Sequence, residues 1–234
     1  MKLYPAYEQQ GVAMTCRSYE EYVRMFALTE ADLAQGSILD VAGGASSFTA
    51  EAIERGFNAM AVDPLFHYSA DELARHASQE IETSTAKIIQ IQESFDWSYY
   101  GHPAEHRERR IRSAERFITD YKCNTSHYIF AQLPELPFED DAFQHVLCSH
   151  FLFLYADQFD HAFHRASIEE LLRVCAVGGR VLIYPLKSLQ WAGYPAMESL
   201  VQELEVAGHK VSFKSSQLPF IPGSSEFLEI KKIR

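Results

Sequence analysis

Two carboxylates and a turn of small residues are the first groups in this chain that could do chemistry. Asp40 lies near the end of the apolar run Ser37 to Val41, and the turn Ala42-Gly43-Gly44-Ala45-Ser46-Ser47 follows it. A second apolar run, Asn58 to Asp63, ends on another acid about twenty residues past the turn. A turn without bulky side chains lets a ligand approach the backbone closely. An acid closing the next strand can accept hydrogen bonds from both hydroxyls of a ribose. Together they point to a cofactor that contains a nucleoside.

The spacing also separates classes of nucleoside cofactor. A dinucleotide fingerprint, G-x-G-x-x-G, seats pyrophosphate on a helix N-terminus. Read from Ala42, the chain offers Ala42, Gly44 and Ser47, so two of its glycines are missing. Asp40 would oppose a pyrophosphate and suits a cation. S-adenosyl-L-methionine carries a sulfonium and an ammonium and no phosphate. A nicotinamide-dependent oxidoreductase is therefore the weaker alternative.

Four passages in order resemble the class I S-adenosylmethionine-dependent methyltransferases, nearest the broad group that includes the ubiquinone/menaquinone C-methyltransferases (methyltransferase domain type 11). The first is Asp40, Ala42, Gly44, Ser46, set against D-x-G-x-G-x-G, in which only the middle glycine survives. Asp63 is the second. The third is "LPFEDDAFQHVLCSH", beside the family's L-P-F-x-D-x-S-F-D-x-V, and the fourth is "ELLRVCAVGGRVLIYPL", with Val177 where the family's turn has proline. The matches span roughly Ile38 to Leu186.

The resemblance implies roles for further residues. The adenine-reading acid falls at Gln132, whose amide oxygen can still accept from adenine's amino group, and Leu133 would follow with its backbone near the ring. Ser149, His150 and Phe151 would face the methionine part, as would the backbone of Ala42, Gly43 and Gly44. Arg17 and Tyr22 precede the first strand on the segment that covers the cofactor in such folds, and one of them would reach its carboxylate. Methyl transfer from a sulfonium asks the protein mainly for position and water exclusion. Where the acceptor must lose a proton, His150 is the first candidate base, with Tyr184 and Tyr155 behind it. Aromatic residues near the N-terminus (Tyr4, Tyr7, Tyr19, Tyr22) and in a later stretch (Trp97, Tyr99, Tyr100) could wall an acceptor pocket. No metal-ligand spacing such as H-E-x-x-H is present, so no metal is expected.

The elements that must position these groups alternate strand and helix, which predicts an α/β fold. The expected architecture is a Rossmann-like, seven-stranded, mostly parallel sheet with helices on both faces and an antiparallel C-terminal hairpin. Expected strands are Ser37–Val41, Asn58–Asp63, His127–Leu133, Gln144–Cys148, Arg180–Leu186, Lys210–Phe220 and Glu226–Ile233. Helices are expected over Ser46–Arg55, near Asp71–Ser78, over Pro103–Tyr121, from Ala162 to a glycine stop at Gly178, and from Ala196 to Gly208. Thr29 with Asp32 reads as a helix cap. About sixty residues separate the second and third strands, more than a crossover needs, so a helical insert at about 69–125 is expected, either a lid or an excursion packed on the sheet. Residues 1–36 form an N-terminal helical cover, and 37–234 the core.

A formal charge of −11 disfavours nucleic acid. The basic stretch His106 to Arg116 reads as a solvated helix face, because Glu108 and Glu115 interleave it. Four cysteines lie far apart without C-x-x-C, and Cys148 and Cys175 read as buried thiols. "MKLYPAYEQQ" has no apolar leader core, and no run of about 18 apolar residues occurs, so a cytoplasmic chain away from the membrane is expected. The function expected is methyl transfer to a small-molecule acceptor. A protein that binds S-adenosylmethionine without catalysis is the other alternative, and the oligomeric state is left open.

Overall fold

In a computed structural model describing residues 6–234, the four residues of β1 (Ile38–Val41) are all buried, and the sheet is built outward from them. Beside β1 lie β2 (Ala59–Asp63) and then β3 (Tyr128–Phe130). On its other side come β4 (Phe143–Ser149) and β5 (Cys175–Tyr184). The last two strands, β6 (Lys210–Ser215) and β7 (Glu226–Lys231), complete seven in the order β3-β2-β1-β4-β5-β7-β6. The first five are parallel, and β7 is antiparallel to both β5 and β6. The expected fold class is the observed one. Strand order reverses between β1 and β4, which is where open α/β sheets bind ligands.

Helices cover both faces. Alternate residues such as Leu39, Val41, Val146 and Val181 meet α6 (His161–Val174) and α7 (Met197–Val206). The other set, Ile38, Leu147 and Leu182, meets α1 (Tyr19–Met25) and α3 (Phe48–Glu54). Ser18 caps α1 in a reciprocal box with Glu21, and Thr29 caps the single turn α2 (Glu30–Leu33) the same way with Asp32, as its spacing predicts.

The insert is two helices of 21 residues each, α4 (Ala70–Gln90) and α5 (Pro103–Cys123). The first is longer than the expected Asp71–Ser78. Its apolar spacing continues through Leu73, Ala77, Ile81 and Ile88, all buried, so nothing stops it. Phe117 of α5 is fully buried and packs with Phe66, Tyr121 and Tyr128. The pair is thus part of the core against β2 and β3.

Among the expected boundaries that move, three have a clear local cause. β3 ends at Phe130, because Gln132 turns back to bridge Glu135. α6 ends at Val174, and residues expected to finish it already pair in β5, where a side chain at Gly179 would meet the Gln144 carbonyl at 2.7 Å. β6 ends at Ser215, since Gln217 N–H donates to the Arg24 carbonyl and carries the chain toward α1 (2.9 Å). Tyr4 and the first residues of the N-terminal cover lie outside the described residues. Among the described residues, no helix is long and apolar enough to cross a membrane.

Emptying the Phe117 site should cost about 3–5 kcal/mol, the range for a buried phenylalanine cut to alanine. Urea unfolding of Phe117→Ala against the parent checks this, and a loss under about 1 kcal/mol would mean that the insert packs loosely.

Candidate active site

From Gly43 to Ser47 the turn after β1 has no amide to spare. Gly43 N–H donates to the Val62 carbonyl (3.1 Å) and Gly44 N–H to Asp63 Oδ2 (2.9 Å). Ala45 N–H donates to the Thr15 carbonyl (2.8 Å), Ser46 N–H to Gly43 (3.1 Å) and Ser47 N–H to Arg17 (3.0 Å). A strap, residues 12–17, therefore lies across the turn and takes two of its amides. Gly44 has a positive φ of 56°, and a side chain there would stand 2.7 Å from the Thr15 carbonyl. Only glycine permits this approach.

One cavity of about 330 Å³ opens where β1, β2 and β3 end. Ala42, Asp63, Gln132 and Leu133 line it, and the rings of Phe151 and Phe163 form an apolar wall. Asp63 accepts from Gly44 through Oδ2 and from Leu65 N–H through Oδ1 (2.9 Å), which fixes its carboxylate in the plane of the strand end. Burial pushes its pKa up to about 6, against those two donors and His76, which lowers it. Such a cavity falls within the usual range for a small-molecule site, roughly 300–1,000 Å³.

Asp40 is set deeper. It is 1 % exposed, and its Oδ1 accepts from the Tyr22 hydroxyl (2.9 Å). No cation lies within ion-pair distance of it among the described residues. Burial pushes its pKa up to about 8; the Tyr22 hydrogen bond works against this, and the neighbouring Asp63 adds to it. A buried carboxylate in this position favours whatever brings it a positive charge.

A second, smaller cavity of about 80 Å³ lies on the other side of the strap, and Ala13 lines both. Arg17, His106, Arg110, His150 and Tyr155 face it, within walls of aromatic rings. His150 has a positive φ of 54°, and its Nδ1 is 2.8 Å from Ser149 Oγ. Burial first, then Arg17 and Arg110, holds its pKa well below the ordinary value, so it is neutral at pH 7. Arg17 pairs with the buried Glu21 (3.2 Å), and Tyr100 donates to the same carboxylate. The Tyr155 hydroxyl accepts from Ala13 N–H (2.9 Å).

The expected site residues thus divide in three. Ala42, Asp63, Gln132 and Leu133 line the first cavity, and Arg17 and His150 the second. Tyr22, Asp40, Gly43, Gly44 and Ser149 lie between and beneath, each buried. Tyr184 requires correction as a base. Its hydroxyl donates to the Leu218 carbonyl (2.7 Å), it lines neither cavity, and burial pushes its pKa up to about 12. Arg17 also reaches a protein carboxylate before any ligand's.

The basic stretch is solvated on one face only. Arg107, Glu108 and Arg116 do carry exposed ion pairs, but His106 and Arg110 turn inward. The spacing His106, Arg110, Ala114, Phe117, Tyr121 is an apolar-type helical stripe that contains a histidine and an arginine, and that stripe is the available signal. Nothing local in the sequence points to the strap, since Ala13 and Thr15 act through their backbone.

Comparison with known proteins adds one close relative and a shared fold. The uncharacterized protein MJ0045 of Methanocaldococcus jannaschii is 30% identical over 217 residues, which cover 92% of this chain and 94% of that one. No family model matches the chain. An O-methyltransferase family protein from Burkholderia thailandensis superposes with a TM-score of 0.51 at 14% identity, over 92% of this chain and 56% of that one. A protein solved in work on the conversion of a disulfide bond into a thioacetal group during echinomycin biosynthesis gives 0.50 at 15% identity, over 88% and 80%. At such identities these structures share the fold.

The two raised carboxyls have a consequence for stability. Unfolded, each titrates near about 4. Folded, Asp63 titrates at about 6 and Asp40 at about 8, so the native chain binds protons more tightly between those values. Their contribution is complete below about pH 4 and is lost as pH rises to about 8. Urea unfolding without ligand, from about pH 5 to about pH 9, should show stability falling, and Asp40→Asn should flatten the upper part of the fall. Identical profiles for parent and variant would contradict the placement of Asp40.

Proposed function

We propose, from the premise that this chain belongs to one family with MJ0045 of Methanocaldococcus jannaschii, that it is an S-adenosylmethionine-dependent methyltransferase acting on a small-molecule acceptor. One observation carries the reading. The amides from Gly43 to Ser47 are each bonded within the protein, while the acid beneath them has no cation within ion-pair distance among the described residues. A pyrophosphate needs free donors there and would meet Asp40, which disfavours a nicotinamide dinucleotide. A cationic nucleoside without phosphate needs none of those amides and supplies the missing charge.

The residues present fit such a ligand. Asp63, fixed by Gly44 and Leu65, is the seat for the ribose hydroxyls, and Gln132 and Leu133 stand at the edge of the same cavity for the base, against the Phe151 and Phe163 rings. Asp40, with Tyr22, is the counter-charge for the amino acid end. When bound, S-adenosylmethionine supplies a methyl group on a sulfonium, a good leaving group. This chain's own residues then orient and exclude water. The strap separates the two cavities, and its Ala13 and Thr15 backbone would have to yield for one ligand to reach from the first toward the second. His150 can take a proton from an acceptor at Nε2 when its Nδ1 holds the proton shared with Ser149 Oγ. The small second cavity, closed in by aromatic side chains, suits a small acceptor.

Calorimetry should find micromolar binding of S-adenosylmethionine and S-adenosylhomocysteine and none of NADH. Asp63→Ala should weaken both by at least roughly tenfold, the loss expected for hydrogen bonds to a charged group. Labelled methyl incorporation into an extract separates an enzyme from a protein that only binds the cofactor. NADH binding without S-adenosylmethionine binding would overturn the proposal.

A further inference from the structure

We infer that the second cavity takes an acceptor bearing a carboxylate on a flat apolar body, with the carboxylate seated on Arg110. The inference rests on the proposed methyl transfer and names the class of molecule methylated. Arg110 is 5 % exposed, lines the cavity, and lies within ion-pair distance of no carboxylate among the described residues. Its bonded neighbours are neutral: it donates to Ser84 Oγ, and it meets the Cys16 thiol. A guanidinium cannot shed its proton, so this charge stays buried with no carboxylate paired to it, Glu80 lining the same cavity outside ion-pair distance, until something enters.

Two arginines face the cavity, and they are not equivalent. Arg17 belongs to the strap beside the turn and already holds Glu21. Arg110 comes from α5, is bonded to Ser84 of α4 and meets the strap at Cys16. Unlike Arg17 it holds no protein carboxylate, which leaves it for an anion on the acceptor. The body of the acceptor is read from the walls, where Tyr7, Phe95, Tyr155, Trp191 and Phe220 present ring faces and edges. Glu80 lines the same cavity with Oε1 buried and unbonded, which suits a hydroxyl or amino donor on the acceptor. Burial first, then Arg17 and Arg110, holds His106 and His150 neutral, so neither histidine adds a positive charge that competes for the anion.

The probes are benzoate, 3-hydroxybenzoate and the neutral 3-hydroxybenzamide, titrated calorimetrically into the full chain with and without S-adenosylhomocysteine. The two acids should bind and raise the melting temperature, 3-hydroxybenzoate more than benzoate, while the amide does neither. Arg110→Met should keep or gain thermal stability, because it removes a buried unpaired charge, and should weaken the acids at least roughly tenfold. Arg110→Lys should retain part of the binding. Failure of both acids to bind, or equal binding of acid and amide, would overturn the inference, as would unchanged binding to Arg110→Met. So would a variant that loses S-adenosylhomocysteine but keeps 5′-methylthioadenosine, which lacks the carboxylate, since Arg110 would then serve the cofactor. Absence of S-adenosylhomocysteine binding to the parent chain sinks the proposed function instead, and is read separately.

Discussion

The hydrogen bonding of one turn governs the site. Between Gly43 and Ser47 the chain makes the sharp entry from β1 into α3, and each of its amides ends on a protein acceptor. Two of those acceptors belong to the strap, so the N-terminal segment is tied to the turn by its backbone. The strap brings Arg17 to one cavity and Met14 to the other. Asp63 serves the same turn through Gly44 and thereby lies still at the end of β2. The amides from Gly43 to Ser47 are therefore not free to cradle a phosphate.

Much of this was legible in the sequence because it depended on local pattern. β1 and β2 are short apolar runs ending near acids, and the glycine pair marks the tight turn between β1 and α3. Asp63 follows from the end of β2, whereas Gln132 is placed by the resemblance and lies beyond β3, which ends at Phe130. The depth of Asp40 was not legible. Its position on β1 is local, but its enclosure is set by Tyr22 from a helix eighteen residues earlier. Tyr184 shows the same limit from the other side: its place at the end of β5 suggests the crevice, while its hydroxyl is captured by the chain at Leu218. The inward turn of Arg110 was visible as spacing, but a charged residue in an apolar stripe reads by default as surface.

The buried charges fall into a pattern across the strap. On the turn side, Asp40 is an acid without a cation, which burial keeps largely protonated at neutral pH. On the insert side, Arg110 is a cation without an anion. Each is costly to the empty chain, and nearby compensation was physically available: Arg17 is instead matched to Glu21, within the protein. A fold that neutralises one arginine internally and leaves another open, a few residues from a neutral histidine, has arranged its charges unevenly. Stability alone would favour apolar replacements at both open positions.

The same arrangement bears on how a weak base could act. His150 is held neutral by burial and by Arg17 and Arg110, which also makes it reluctant to accept a proton. An anion on Arg110 would cancel part of the field that suppresses protonation, so the affinity of the imidazole for a proton rises when the acceptor arrives. Under the proposed function, the imidazole would be a stronger base with the acceptor bound than without it, and would have little tendency to take a proton from water in the empty cavity.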